Sequence, residues 1–174
     1  SDESKNLGFK MGQPYHLSLD QIRKHKVEVF SSNYTLYGNM SHRVMSILES
    51  QSPQIEVYSI DEAFLNLTGV ETKAATDFCI NTRKIVLRST GIPISIGIAS
   101  TKTLAKLANG MAKKTSLTNG VFNLYEHDLD TVLSQVEVGD VWGVGRQSAE
   151  KLKSARINTA LDLKRANPKF IREK

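Results

Sequence analysis

The sequence predicts an α+β fold: strands and helices mixed over residues 26–125, then a small all-helical unit over 126–174. Three observations point there. Alternating or short apolar runs bounded by Gly, Pro or Asn mark strands at Lys26–Phe30, Ile55–Tyr58, Phe64–Leu67, Ile94–Ile98 and Val121–Leu124. Apolar residues near 3.6 spacing mark helices over 34–50, 71–90 and 102–113. Beyond about residue 125 no strand pattern recurs.

Residues 1–12 open without an initiator Met and without a strand, which reads as an internal start and predicts a fragment of a longer chain. Lys5 and Lys10 flank a turn at Gly8, an exposed basic loop. Residues 14–25 fit a short helix with Ser18 as its cap and Ile22 inward. Lys26–Phe30 alternates cleanly and is expected to be a strand, with Ser31-Ser32-Asn33 as a turn or cap after it. The next helix places Leu36, Met40, Val44, Ile47 and Leu48 on one face, and Pro53 breaks the chain behind it.

The centre of the sequence is Tyr58-Ser59-Ile60-Asp61-Glu62-Ala63-Phe64-Leu65, two adjacent carboxylates between two apolar strand-like runs. Neighbouring side chains on one strand face opposite ways, so Asp61 and Glu62 act together only if the chain turns between them. A tight hairpin lifts both to its tip. Two unit charges about 4 Å apart repel by roughly 4 kcal/mol at an effective dielectric near 20. Water offsets that at an exposed turn. A divalent cation offsets it better, and Mg²⁺ is commonly held by one or two carboxylates plus substrate phosphates. A solvated Asp-Glu turn and a metal site both fit the pair.

The helix over 71–90 carries Ala75, Phe78, Cys79, Thr82, Ile85 and Val86 on one stripe and closes at Gly91 and Pro93. Cys79 on that stripe reads as a small core residue. Ile94, Ile96 and Ile98 then alternate with Ser95, Gly97 and Ala99, so one face of the strand is small enough for close approach. Ser100 or Thr101 caps the helix over 102–113, whose inward face is Leu104, Leu107, Ala108 and Met111. Lys102, Lys106, Lys113 and Lys114 line its other faces, the last two well placed for the helix dipole. A polar loop over 115–120 leads to the last strand.

Val141-Trp142-Gly143-Val144-Gly145-Arg146 forms a hydrophobic-Gly-hydrophobic-Gly turn between short helices. Gly143 and Gly145 permit a sharp bend and close approach of backbone. The helix that follows presents unpaired N–H groups, and Arg146, Lys151 and Lys153 add positive charge, which suits a phosphate. A plain corner between two helices has the same glycines.

A formal charge of +5 over 174 residues suits a polyanionic partner, and 40% hydrophobic content supplies a core. The single Cys79 excludes an internal disulfide and fits a reducing compartment. No signal peptide or apolar run of membrane-spanning length is present, so no membrane role is expected.

Four stretches then agree in order and spacing: Ser59-Ile60-Asp61-Glu62-Ala63-Phe64; Ile96 to Ala99 with Thr101 to Ala108; Met111-Ala112-Lys113; and Val141 to Gly145. Together they resemble the Y-family translesion DNA polymerases. Phe30-Ser31-Ser32-Asn33-Tyr34 and Asp140-Val141-Trp142-Gly143 are most similar to the bacterial UmuC branch. The resemblance implies an incomplete polymerase palm, an antiparallel or mixed sheet with packed helices, followed by a small all-α thumb with a helix-hairpin-helix. Residues 1–25 would be a remnant of the fingers, 26–125 the palm without its first strand, and 126–174 a truncated thumb. It implies nucleotidyl transfer with two Mg²⁺ ions, held through Asp61 and Glu62, in error-prone synthesis past DNA damage during the SOS response. Ser59 would lie beside the primer end, Lys113 and Lys5 would contact the incoming dNTP, and Gly143, Gly145, Arg146 and Lys151 would hold the DNA backbone. The implied partners are primer-template DNA, dNTP, a UmuD-type dimer and a recombinase filament, in the bacterial cytoplasm. The family's first palm strand, with a further metal-binding Asp and an aromatic that excludes ribonucleotides, has no counterpart here, nor does its C-terminal DNA-gripping domain. The 174 residues alone are therefore expected not to polymerise. A non-catalytic module that binds DNA backbone through the hairpin is the alternative.

Overall fold

The computed structural model describes residues 2–52, 54–114 and 119–172. The expected break at Pro53, positions 115–118 of the polar loop, and Glu173 and Lys174 lie outside the described residues. The chain divides into two compact units, Ser1–Leu36 and Tyr37–Lys174.

The first unit holds α1 (Asp2–Asn6) and α2 (Tyr15–His25). The turn expected at Gly8 is present, with φ +88° and its N–H donating to the Lys5 carbonyl. Gln21 reaches back from α2 to donate to the Leu7 carbonyl. Ser18 is not the cap of α2. It lies inside the first turn, buried, and its hydroxyl donates to the Pro14 carbonyl, while Pro14 itself holds the cap position. The strand expected at Lys26–Phe30 does not form either. Lys26 takes a left-handed conformation to end α2, and none of the described strands pairs with the residues that follow. Alternation is only permissive for a strand, and without a ladder partner the backbone stays irregular and leaves Val29 and Phe30 exposed.

The side chain of Asn33 accepts from the Leu36 N–H at the start of α3 (Tyr34–Gln51). That helix buries Val44, Met45 and Leu48, whereas Leu36, expected inward, is half exposed.

In the second unit β1 (Ile55–Val57) and β2 (Ala63–Leu65) form an antiparallel hairpin, with Ile55 opposite Leu65 and Val57 opposite Ala63. Helix α4 (Thr72–Thr90) runs from a Glu71 cap to a left-handed Gly91. It buries Ala75, Cys79, Thr82 and Val86, the expected stripe, and burial pushes the Cys79 thiol pKa up to about 12. The strand β3 (Ile96–Ile98) pairs in parallel with β4 (Val121–Asn123), Ile96 opposite Val121. Between them α5 (Lys102–Lys114), capped by Thr101, lies directly across Gly97. A Cβ at Gly97 would stand 2.2 Å from the Asn109 nitrogen and 2.3 Å from the Ala105 carbonyl oxygen. The small face of this strand is therefore filled by the chain's own helix.

The C-terminal residues fold as α6 (Leu129–Ser134), α7 (Arg146–Ser154), α8 (Ala160–Arg165) and α9 (Pro168–Arg172). They share a core with the mixed part: Leu107, Ala108 and Phe122 bury against Val132, Leu133, Val136 and Ala160. Each Leu, Val or Phe among them contributes about 1.5–3 kcal/mol by leaving water, and each Ala less than about 1 kcal/mol. A second cluster of Val138, Leu152 and Ile157 closes the end of the unit. The described strands thus make one antiparallel and one parallel pair, the mixed sheet content expected, packed with helices.

Candidate active site and nucleic-acid interface

The β1–β2 hairpin turns through Tyr58 to Glu62. The N–H groups of Tyr58 and Ser59 both donate to the Glu62 carbonyl, at 2.9 and 3.1 Å. This closure puts Asp61 and Glu62 at the tip, as the turn argument requires. The Ser59 hydroxyl donates to Asp61 Oδ1 at 2.7 Å, fixing one carboxylate oxygen of an otherwise exposed side chain. Glu62 is half-buried, and its Oε1 accepts from Lys106 Nζ at 2.6 Å. One helical turn earlier on α5, Lys102 pairs with Glu56 of β1 in the same way. The two lysines, read from sequence only as a polar face of α5, fasten that helix to the carboxylate hairpin. The Lys106–Glu62 pair, partly shielded from water, is worth about 1 kcal/mol, and the more exposed Lys102–Glu56 pair less.

Three rings complete the hairpin. Tyr58, Phe64 and Trp142 pack with centroids 5.3–5.9 Å apart, and Tyr58 meets Trp142 edge-on at 88°. Lys106 Nζ lies 5.4 Å from the Tyr58 centroid and 5.6 Å from that of Trp142, and Lys102 Nζ lies 5.3 Å from that of Phe64. Rings in this range of a cation attract it through their quadrupoles.

Asp61, Glu62 and Lys106 border a cavity of about 970 Å³ between the hairpin and β3. Ala63 and Leu65 line one side, Ile96 and Ile98 the other, and Thr82 lies among the lining with its buried hydroxyl oxygen unpartnered. Among the described residues β2 pairs only with β1 and β3 only with β4, so each keeps an unpaired edge.

The donor set fits a hard cation such as Mg²⁺, which accepts one or two carboxylates and completes its shell from water or phosphate oxygens. Asp61 Oδ2 and Glu62 Oε2 are the carboxylate oxygens without a protein donor among the contacts described above. Among the described residues no cluster of three or more His, Cys, Asp or Glu side chains exists to enclose an ion.

Lys113 is not gathered to this point. It is exposed near the end of α5, seven residues and about 10 Å beyond Lys106, beside a small groove formed with Arg83, Asn119 and Gly120. Lys5 lies in the last turn of α1, in the first unit.

The glycine turn is preceded by a single 3₁₀ turn, Val138–Asp140, rather than a full helix. Gly143 has φ +94°, which a side chain tolerates poorly, and Gly145 caps α7 without a side-chain hydrogen bond to its N–H groups. Gly143, Gly145, Arg146 and Lys151 are all exposed, and Arg146 pairs along α7 with Glu150 at 3.3 Å. Lys153 is tied instead to Glu137 at 2.8 Å, which raises its own pKa and lowers that of Glu137. No helix among the described residues is long and apolar enough to cross a membrane.

Comparison with known proteins gives a consistent result. The model of the impB/mucB/samB family matches residues 1–110. The chain is 47% identical to Protein UmuC of Salmonella typhimurium over 99% of its own length and 42% of that relative. It is 30% identical to DNA polymerase IV of Picrophilus torridus over 93% of its length and 45% of the relative. The crystal structure of a DinB family error-prone DNA polymerase from Sulfolobus solfataricus superimposes with a TM-score of 0.77 and 25% identity, covering 95% of this chain and 49% of that one. The chain thus spans less than half the length of these relatives.

Proposed function

The chain belongs to the impB/mucB/samB family, and from that premise we propose that it is part of a DNA-directed DNA polymerase that copies past damaged template. The single observation that carries this reading is the pair Asp61 and Glu62, raised on one hairpin tip at the mouth of a cavity with basic residues behind it. Bound there, Mg²⁺ would supply charge neutralisation at the reacting phosphate and activation of the primer hydroxyl.

In this reading Asp61 and Glu62 ligate the ions through their remaining oxygens. Ser59 orients Asp61 and lies beside the primer end. Lys113 and Lys5 contact the incoming triphosphate. Gly143, Gly145, Arg146 and Lys151 offer backbone N–H groups and positive charge to DNA phosphates, which positions the duplex without reading its sequence. Residues 1–25 belong to the fingers, 26–125 to the palm and 126–174 to the thumb. The cavity with its two free strand edges is where the whole protein's further palm strand enters, with a third metal carboxylate, so the 174 residues alone do not polymerise. The SOS response, the bacterial cytoplasm, a UmuD-type dimer and a recombinase filament belong to this proposal as its setting and partners.

The test is extension of a primer past an abasic site by the longer protein that contains this chain, beside its Asp61→Ala variant. Extension by the parent and none by the variant supports the reading. Equal extension by both removes Asp61 from the chemistry. The exposed glycine turn favours one second reading, a non-catalytic module that grips DNA backbone. Salt-dependent duplex binding by the longer protein with no extension supports it.

A further inference from the structure

Lys106 is the best-connected cation at the site. Its side chain is 21% exposed, its Nζ is 2.6 Å from Glu62 Oε1, and it stands within 6 Å of the Tyr58 and Trp142 ring centroids. Glu62 is 29% exposed, and its Oε1 accepts from that ammonium. Asp61, more exposed, accepts from the Ser59 hydroxyl. The adjacent carboxylates therefore differ: one is balanced by a lysine and the other by solvent.

Resting on the reading of Asp61 and Glu62 as metal ligands, we propose that Lys106 is a displaceable counter-ion. It neutralises Glu62 while no divalent cation is bound and gives way when one arrives, and Trp142 registers the exchange. A doubly charged ion ligated by Glu62 repels the ammonium across a few ångströms of poorly screened space. Its arrival weakens the Lys106–Glu62 contact and moves the charge relative to the indole. Trp142 belongs to the glycine turn that is assigned to DNA backbone, so its ring joins the carboxylate hairpin to that turn. Lys106 is thus a positioning residue acting through Glu62.

Trp142 is the only tryptophan among these 174 residues, and the part of the emission that Trp142→Phe removes reports this place. The experiment titrates Mg²⁺ alone into the longer protein that contains this chain and follows tryptophan emission, with and without Trp142→Phe, and calorimetric heat. The chains compared are the wild type, Lys106→Met, Lys106→Arg and Glu62→Gln. The expected result is a saturable emission change in the wild type that Glu62→Gln abolishes. Lys106→Met should bind Mg²⁺ roughly fivefold more tightly, the scale of a modest ion pair, with an emission that no longer responds. Lys106→Arg should restore both behaviours towards wild type. Unchanged or weaker binding by Lys106→Met with a wild-type emission response overturns the counter-ion role and leaves the metal reading standing. Absence of saturable heat in every chain overturns both. If Lys106→Met fails to fold, the wild type decides: calorimetric binding through Glu62 with silent Trp142 emission contradicts the proposal.

Discussion

The indole of Trp142 stands edge-on to the phenol of Tyr58, centroids 5.3 Å apart and planes at 88°. One ring comes from the glycine turn before α7 and the other from the carboxylate hairpin. Aromatic pairs in this geometry add about 0.5–1.5 kcal/mol beyond their area, and Phe64 supplies a second contact. Trp142→Ala is expected to lower unfolding stability by about 2–3 kcal/mol, less than loss of a fully buried Trp because the ring is only half-buried. Trp142→Phe should cost less than half of that. Urea denaturation followed by circular dichroism measures both. An effect of Trp142→Ala below about 0.5 kcal/mol would show that the two parts are not coupled through the rings.

Gly97 is expected to be intolerant of any side chain. A Cβ there meets backbone of α5 at 2.2 and 2.3 Å, and backbone yields less easily than the end of a side chain. Gly97→Ala should cost about 3 kcal/mol or more, at the upper end of overpacking. Because β3 and α5 flank the cavity, the same substitution should also expose Cys79 to thiol reagents. A stable variant with a protected thiol would contradict the packing described.

The C-terminal helices should loosen in acid. Asp130 accepts from Lys164 and Arg165 at 2.6 and 2.7 Å, linking α6 to α8, and both contacts hold its pKa below the usual 3.8. Hydrogen bonds from Thr131 lower Asp128, those from Thr159 lower Asp162, and Lys153 lowers Glu137 from 4.5. A carboxyl depressed in the folded chain contributes stability that is present above its unfolded pKa and lost as pH falls through the folded value. The thermal midpoint should therefore hold from about pH 8 to 5 and fall below about pH 4. Asp130→Asn should flatten part of that fall. A midpoint independent of pH down to 3 would contradict it.

If the glycine turn holds DNA phosphates, affinity of the longer protein for duplex should fall steeply with salt and vary little with sequence. Each phosphate neutralised contributes about −0.9 to the slope of log affinity against log salt. Arg146→Ala should reduce the slope by about one unit. A flat salt response argues against the turn as a DNA contact.

What was legible in the sequence followed from local patterns. The stripe from Ala75 to Val86 and the Gly91 stop on α4 were written in 3.6 spacing and one glycine. The hairpin under Asp61 and Glu62 was written in two apolar runs around a polar turn. Lys26–Phe30 misled because alternation does not supply a partner strand, and Ser18 misled because a serine inside a helix can donate back to the carbonyl four residues earlier instead of accepting from an N–H ahead of it. The contact of Lys106 with Glu62 spans 44 positions, so only the fold brings it about. A trace existed in sequence: Lys102 and Lys106 are one turn apart on α5, opposite two glutamates of the hairpin. Trp142 gave no such trace, since nothing near residue 142 names the hairpin as its neighbour.

The central claim is that Asp61 and Glu62 hold the metal of nucleotidyl transfer. It is tested most directly by a crystal structure of the longer protein with primer-template DNA, an incoming nucleotide and Mn²⁺ in place of Mg²⁺, read by anomalous scattering. The account predicts a Mn²⁺ peak about 2.1 Å from oxygens of both Asp61 and Glu62, bridging to the triphosphate. A triphosphate bound with its Mn²⁺ away from both side chains would contradict it.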